Sequence, residues 1–158
     1  MQHEKIKKIV SWTLCAVCMA LIFYFSSRTA NQSSEQSGKI LELLTSIFGE
    51  NVFTDFLVRK AAHLLEFTGL SLLFSNAFYQ TLKNKKAVPI FAFSATSLYA
   101  VSDEIHQIFV DGRSCQFVDW AIDSLGAVLG MVFFYILLFV VSKIKYSNIC
   151  LLYTSPSP

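Results

Sequence analysis

The chain has 158 residues, of which 54% are hydrophobic, 15% are aromatic and 15% are charged, and its net charge is +2. This length allows one domain at most. The small net charge gives no reason to expect a nucleic-acid partner, and the apolar content is too high for a soluble domain. The composition fits an all-α membrane protein with several spans, each of which needs about 20 mostly apolar residues to cross roughly 30 Å of hydrocarbon.

The first apolar segment, 9–25, follows a basic N-terminus. It is longer than the apolar core of about 7–15 residues found in a signal peptide, so we predict an uncleaved first membrane helix. Cys15 and Cys18 in this segment have CxxC spacing. A zinc ribbon needs a second such pair, and a thioredoxin-like site needs a strand before the helix. We therefore interpret both cysteines as small side chains packed in the helix.

The long polar connection that follows contains SSRTANQSSEQS at 26–37, which is typical of a loop. Ser33-x-x-Gln36 is predicted to cap the next helix. From Gly38 onward, apolar residues recur at helical spacing with polar residues between them, which predicts an amphipathic helix too short and too polar to span a membrane. Two positions for this helix stay open: on the membrane surface, or packed over the helix bundle.

Three further apolar segments are predicted to be the second, third and fourth membrane helices: 56–79, 87–109 and 117–142. Each has a polar stripe when drawn at helical periodicity. The stripes are Arg59, His63 and Glu66 in the second helix, Tyr99, Asp103 and Gln107 in the third, and Asp119, Asp123, Gly126 and Gly130 in the fourth. Such stripes face protein or water rather than lipid.

Two glycine signals add detail to this arrangement. The Gly126-x-x-x-Gly130 spacing predicts that a neighbouring helix approaches closely. Gly112, in the turn VDGRSCQF, is predicted to adopt a positive φ in a tight reversal between the third and fourth helices.

The basic residues lie on one side of a four-helix arrangement: Lys5, Lys7, Lys8, Lys83, Lys85, Lys86, Lys143 and Lys145. By the positive-inside rule this side is the cytoplasm, and both termini are inside. The polar ends of the second, third and fourth helices then meet at one depth near the outer surface. We therefore predict an outward-facing polar site.

The motifs KAAHLLEF and SDEIHQIFVDGRSCQFVDWAIDSLGAVLG, preceded by the Ser- and Gln-rich FSSRTANQSSEQS, resemble the VanZ-like family of small membrane proteins. The positions that carry the resemblance are Lys60, His63, Glu66, Asp103, Glu104, Gln107, Arg113, Asp119, Gly126 and Gly130. Asp123 departs from the pattern, because an uncharged residue such as Asn is expected there. We assign 1–149 to this membrane domain.

The family is named after a protein associated with resistance to the glycopeptide antibiotic teicoplanin. The resemblance therefore implies a multi-pass protein of the bacterial cytoplasmic membrane with a role at the cell envelope, and it raises the hypothesis of antibiotic resistance.

The tail 150–158 reads CLLYTSPSP, which a transposon-based sequencing adapter can encode when it is read in frame. We therefore predict that this tail is not native and exclude it from the fold.

We predict two kinds of residue in the outward-facing site. The catalytic candidates, which could act as general acids or bases, are Glu104, Glu66, His63, Asp103 and Asp119. The candidates for binding the phosphate or carboxylate of a lipid-linked or peptidoglycan-type substrate are Arg59, Lys60, Gln107 and Arg113. No Ser or Cys lies in a nucleophile motif, so a covalent intermediate is not predicted. We expect no cofactor.

Three other interpretations of the same residues stay open. The charged groups could form a purely structural network of Arg–carboxylate pairs. His63-x-x-Glu66 together with Asp103, Glu104 and His106 could form a di-metal site, although the spacing is incomplete and the neighbouring cations would repel a metal, so no metal is predicted. The protein could instead be a small proton-coupled transporter. The sequence does not give the oligomeric state.

Overall fold

The computed structural model describes residues 2–49 and 53–154, and for 146–154 it describes the helix but not the side chains. This part of the chain forms five α-helices and no strand, which confirms the all-α class. The helices are α1 (Gln2–Ser26), α2 (Ala30–Phe48), α3 (Asp55–Thr81), α4 (Val88–Gln107) and α5 (Phe117–Thr154), with a short 3₁₀ turn at Lys85–Ala87. Residues 155–158 of the predicted adapter tail lie outside the described residues.

The four long helices α1, α3, α4 and α5 run in alternating directions. At one end of the bundle, the indole Nε1 of Trp12 in the first half of α1 donates to Thr81 Oγ1 at the end of α3, 3.1 Å away. At the other end, Gln107 Nε2 at the end of α4 donates to Ser26 Oγ at the end of α1, 3.0 Å away. This alternation places the basic segments at one end of the bundle and the charged ends of α3, α4 and α5 at the other.

The hydrophobic core lies where α1, α3 and α4 meet. Phe67 and Leu70 of α3 are fully buried in it, and Cys15 of α1 is 1% exposed. Cys18 packs against the same core, and both cysteines are free thiols. The two cysteines are thus packing residues, as predicted from their apolar surroundings.

The seam between α3 and α5 depends on two glycines. A Cβ placed on Gly126 would lie 2.7 Å from the carbonyl oxygen of Leu64, and one placed on Gly130 would lie 2.8 Å from Ser71 Cβ and would overlap the Thr68 carbonyl oxygen. Only a residue without a side chain permits this separation of the two helices. The predicted close approach is therefore confirmed.

The start of α2 differs from the prediction, because most of the stretch 26–37 is helical rather than a loop. The helix begins at Ala30, and Thr29, not Ser33, is its N-cap, with Thr29 Oγ1 accepting from the backbone N–H of Gln32 at 3.4 Å. The Ala30 N–H donates to the carbonyl oxygen of Asp111 at 3.2 Å. This long-range hydrogen bond stabilises a helix start that the local sequence does not reveal.

The other helix boundaries differ from their predicted positions by fewer residues than the start of α2 does, except for the end of α5. Helix α4 ends at Gln107 rather than 109, because the chain turns there, and Gly112 has the predicted positive φ, at 75°. Helix α5 continues from the predicted end at 142 to Thr154, since the sequence offers no Gly or Pro that would end it before Pro156.

By length and composition, two of the described helices could cross a membrane: Gln2–Ser26, whose 18-residue apolar window has a mean hydropathy of 2.0, and Phe117–Lys145, whose window has a mean hydropathy of 2.5. Helices α3 and α4 were also predicted to span, but neither meets the same criterion. The charged residues at one end of each helix lower its hydropathy, so the apolar pattern supports two spans directly.

Candidate functional site

A cavity of about 700 Å³ lies at the charged end of the bundle. The end of α1, the polar side of α2, the first half of α3 and the turn between α4 and α5 form its walls. Of the nine predicted site residues, seven line it: Arg59, Lys60, His63, Glu66, Gln107, Arg113 and Asp119. The fold therefore brings together side chains that are widely separated in sequence, and most of the predicted site becomes one cavity wall.

Two ion pairs hold cations at this wall. Lys60 of α3 pairs with Asp119 in the first turn of α5, and both side chains are largely buried. Arg59 Nε lies 3.3 Å from Asp55 Oδ2 one helical turn earlier, and this pair is more than a third exposed. The Lys60–Asp119 pair is therefore the stronger link between helices, and Arg59 is the cation that a ligand could recruit at lower cost.

His63 is backed by a buried carboxylate. Its Nδ1 lies 3.6 Å from Asp123 Oδ1, and the Asp123 side chain is 0% exposed. At this distance the two atoms interact by charge rather than by a hydrogen bond, and within the described residues neither Asp123 oxygen has a hydrogen-bond partner. Because Nδ1 is buried towards Asp123, Nε2 is the ring nitrogen that remains for a ligand in the cavity.

Asp103 and Glu104 lie behind the cavity wall rather than on it. Both residues are 3% exposed. Asp103 Oδ2 accepts from Gln107 Nε2 at 3.0 Å, and Glu104 Oε2 accepts from the backbone N–H of Gln116 at 2.8 Å. In the described part of the chain, the second oxygen of each carboxyl has no partner. These two predicted catalytic residues therefore support α1 and the α4–α5 turn, and a ligand in the cavity would not touch them directly.

Gln107 lines the cavity, but its amide nitrogen is used within the fold. Its Nε2 donates both to Ser26 Oγ of α1 and to Asp103 Oδ2, each at 3.0 Å. Both amide hydrogens are used in these bonds, so the residue joins α1 to α4 at the edge of the cavity.

Glu66 and Arg113 are the charged residues of the wall with the most polar atoms available to bind a ligand. Across residues 2–49 and 53–145, the Glu66 carboxyl takes part in no hydrogen bond or ion pair. Arg113 uses its Nε to donate to the carbonyl oxygen of Arg28 at 2.9 Å, which fixes the side chain and leaves its terminal nitrogens available. Burial lowers the pKa of Arg113 and the Asp103 carboxylate opposes this shift; a guanidinium stays charged all the same.

His106 lies apart from the site. Its Nε2 is 3.1 Å from Ser27 Oγ, and its ring packs on Phe23 with 4.4 Å between ring centroids. In the part of the chain that the structure describes, no group of three or more His, Cys, Asp or Glu side chains is arranged to hold a metal ion. The di-metal interpretation required His106 beside His63, and the fold does not place it there.

A sequence model of the VanZ/LLP1 family matches residues 11–139. The chain belongs to the VanZ/LLP1 family. The match runs from α1 into α5 and includes all nine predicted site residues, which confirms the resemblance seen in the sequence motifs. No curated protein and no solved structure was found to match.

Sequence analysis missed two parts of this candidate site. Asp123 was not among the predicted site residues, although it is the nearest carboxylate to His63. The second part is α2, whose Ser33, Gln36 and Ser37 line the cavity and whose Ser37 hydroxyl donates to Asp55. The i, i+3, i+4 spacing of these polar residues was present in the sequence, but it was interpreted as a loop.

Proposed function

We propose that this VanZ/LLP1 protein acts at the outer face of the bacterial cytoplasmic membrane, where its cavity binds an anionic lipid-linked or cell-wall substrate and carries out acid–base chemistry on it. The observation that carries the proposal is the composition of the cavity wall. Glu66 and His63 are free to exchange protons, and Arg113 and Arg59 stand in the same wall with nitrogen atoms able to bind an anion.

A structural network accounts for this wall less well. Structural ion pairs bury matched charges, as Lys60 and Asp119 do. Glu66 faces the cavity without a cation bonded to it, and Asp123 is buried with neither oxygen hydrogen-bonded in the described part of the chain. Such groups weaken a fold, because a buried polar group without a hydrogen bond costs about 1–3 kcal/mol, and a purely structural network has no need of them. This cost is a reason to assign Glu66 and His63 to chemistry.

In this proposal Glu66 gives or takes a proton at the substrate, and His63 Nε2 acts as the second proton carrier or holds a substrate oxygen. Asp123 orients the His63 ring and stabilises its protonated form, because the carboxylate lies 3.6 Å from Nδ1. Arg113 and Arg59 hold the anionic group of the substrate, and Lys60 stays paired with Asp119 at the edge of the wall.

The proposal includes a topology of four membrane spans, α1, α3, α4 and α5, with both termini in the cytoplasm. The clustering of lysines at one end of the bundle supports it, since cytoplasmic segments are enriched in Lys and Arg. Helices α3 and α4 can span despite their charged residues, because those residues lie at the cavity end and face protein rather than lipid.

Drug susceptibility in a Gram-positive host tests the function. Wild type, Glu66→Gln and Glu35→Gln are expressed at matched membrane levels, and inhibitory concentrations of teicoplanin and vancomycin are compared. Glu35 is the control, because it is an exposed carboxylate of α2 that pairs only with Lys39. We expect wild type and Glu35→Gln to raise the inhibitory concentration of teicoplanin. We expect Glu66→Gln to leave this concentration unchanged from that of the host alone. Equal protection by Glu66→Gln would remove Glu66 from the chemistry, and no protection by wild type would reject the resistance role.

A further inference from the structure

We propose that the substrate is a membrane lipid with a phosphate headgroup, which enters the cavity sideways from the outer leaflet along α2. This inference rests on the proposed function and narrows it, since it chooses a lipid-anchored substrate over a soluble cell-wall fragment. Four features of the cavity support it: its charge, its apolar margin, the continuation of that margin along α2 and its depth.

The charge of the wall selects an anion. Four Lys and Arg residues line the cavity: Lys39, Arg59, Lys60 and Arg113. The first three each pair with one carboxylate, whereas Arg113 has no ion-pair partner among the described residues and is the cation left for an anion. Arg113 is held by the carbonyl oxygen of Arg28 through Nε, so its two terminal nitrogens are presented as a fixed pair of donors. A planar pair of N–H donors matches two oxygens of a phosphate better than it matches a single acceptor.

Part of the margin of the cavity is apolar. Phe25 of α1, Ile40 of α2 and Phe56 of α3 line it and are 43%, 50% and 59% exposed. The α4–α5 turn contributes the polar residues Ser114 and Gln116 to the same cavity. A soluble anion would gain nothing from three exposed apolar side chains at the margin, whereas an amphiphile contacts the apolar and the polar residues at once.

The apolar margin continues along α2. Leu43 and Ile47 are 61% and 64% exposed, and they follow Ile40 at helical spacing on the same face of the helix that presents Ser33 and Ser37 to the cavity nearer its N-terminus. This face is therefore polar where it lines the cavity and apolar beyond it, which suits a helix at the boundary of a bilayer. Acyl chains can therefore follow this surface while the headgroup is in the cavity.

The depth of the cavity agrees with entry from the membrane. The two segments that are long and apolar enough to cross a bilayer end at Ser26 and begin at Phe117. Ser26 lines the cavity, and so do Gln116 and Asp119 on either side of Phe117. The cavity therefore lies at one membrane boundary, where the phosphates of lipids are found.

Binding measurements on the purified full chain in dodecyl maltoside micelles, which contain no phosphate, test the inference. The probes are phosphatidic acid, which has a phosphate and acyl chains, glycerol 3-phosphate, which has the phosphate alone, and diacylglycerol, which has the chains alone. We expect phosphatidic acid to bind at least about tenfold more tightly than either other probe, because only it contacts both the apolar and the polar residues of the cavity. Arg59→Gln and Arg113→Gln should weaken this binding, and Phe56→Ser should weaken it without changing the binding of glycerol 3-phosphate.

The control for general attraction of anions is Lys83→Gln, an exposed lysine at the opposite end of the bundle, which should leave binding unchanged. Arg59→Gln keeps the test valid if Arg113→Gln fails to accumulate, because the Arg59 side chain is 40% exposed. Glycerol 3-phosphate binding as tightly as phosphatidic acid would overturn the lipid assignment. Equal binding of diacylglycerol, or loss of binding in Lys83→Gln, would overturn the phosphate assignment. In each case the susceptibility result for Glu66→Gln would still decide the proposed function separately.

Discussion

Lys60 of α3 pairs with Asp119 in the first turn of α5, with the two side chains only 15% and 10% exposed. The pair lies at the point where the charged ends of these helices meet. Asp119 is also favoured at the beginning of α5, because a carboxylate stabilises the positive end of a helix dipole. Removing the lysine alone would leave a buried carboxylate without its counter-charge.

We therefore predict that Lys60→Met destabilises the protein by about 3 kcal/mol, the lower end of the cost of breaking a buried pair. The double variant Lys60→Met/Asp119→Leu should recover most of this loss, because apolar side chains of similar volume replace both charges. The stability of both variants is measured by thermal unfolding in detergent, monitored by circular dichroism. Glu35→Gln breaks an exposed pair and serves as the control, with an expected change below about 1 kcal/mol. A double variant as unstable as Lys60→Met would contradict the pairing.

Gly130 is predicted to be the least tolerant position on the α3–α5 seam. In Gly130→Ala the new Cβ would lie 2.8 Å from Ser71 Cβ and 2.9 Å from the backbone nitrogen of Leu72, so the helices must separate. We expect a loss of about 1–3 kcal/mol, the usual cost of overpacking. Gly69→Ala is a matched control in α3, since its Cβ would meet nothing within 4 Å. The same unfolding measurement applies, and similar melting temperatures for the two variants would show that the seam is not tight.

Substitutions at Glu104 distinguish a structural role of this residue from a role in the chemistry. Its Oε2 accepts the backbone N–H of Gln116 at 2.8 Å, and a glutamine can supply the same acceptor. We expect Glu104→Gln to accumulate normally and to keep its effect on teicoplanin, while Glu104→Leu accumulates poorly because the bond to the α4–α5 turn is lost. Membrane levels and drug susceptibility are measured together. Loss of the drug effect in Glu104→Gln at normal levels would show that the Glu104 carboxyl takes part in the chemistry, as the sequence alone had suggested.

The contact of α2 with α3 is predicted to close the cavity. The Ser37 side chain is 5% exposed as part of α2, and its hydroxyl donates to Asp55 at the start of α3. Ser37→Ala should therefore increase the rate at which a thiol reagent modifies a cysteine placed at Val58, a cavity-lining position that is 7% exposed. Ser46→Ala is the control, because the Ser46 hydroxyl bonds only within α2, to the carbonyl oxygen of Leu43. An unchanged rate in Ser37→Ala would mean that this bond does not hold α2 over the cavity.

Helical periodicity was sufficient to predict the inner faces of α3, α4 and α5. The predicted stripe of α3 contains His63 and Glu66, and that of α5 contains Asp119, Gly126 and Gly130. These two stripes face each other in the fold. The reason is physical: in a largely apolar chain, polar and small residues have few positions to occupy other than helix contacts and cavities. The pattern therefore carried most of the information about the site.

The sequence could not predict contacts that depend on distant segments. The polar start of α2 was interpreted as a loop, because its helical form is supported by Asp111 and Asp55, far along the chain. His106 was grouped with Asp103 by closeness in sequence, but its ring packs on Phe23 of α1, a contact that the local sequence does not reveal. The position of Glu104 behind the cavity wall, rather than on it, depends likewise on the turn that it holds through Gln116.

The orientation of the cavity is the claim on which the rest depends, and Cys115 offers a direct measurement of it. This free thiol is exposed in the α4–α5 turn beside cavity residues Ser114 and Gln116. Intact cells expressing the full chain are treated with a membrane-impermeant maleimide, and Cys115→Ser provides the background from the other cysteines. An outward-facing cavity predicts labelling of Cys115 in intact cells that the serine variant lacks. Labelling of Cys115 only after the membrane has been permeabilised would place the cavity in the cytoplasm and contradict the proposed function.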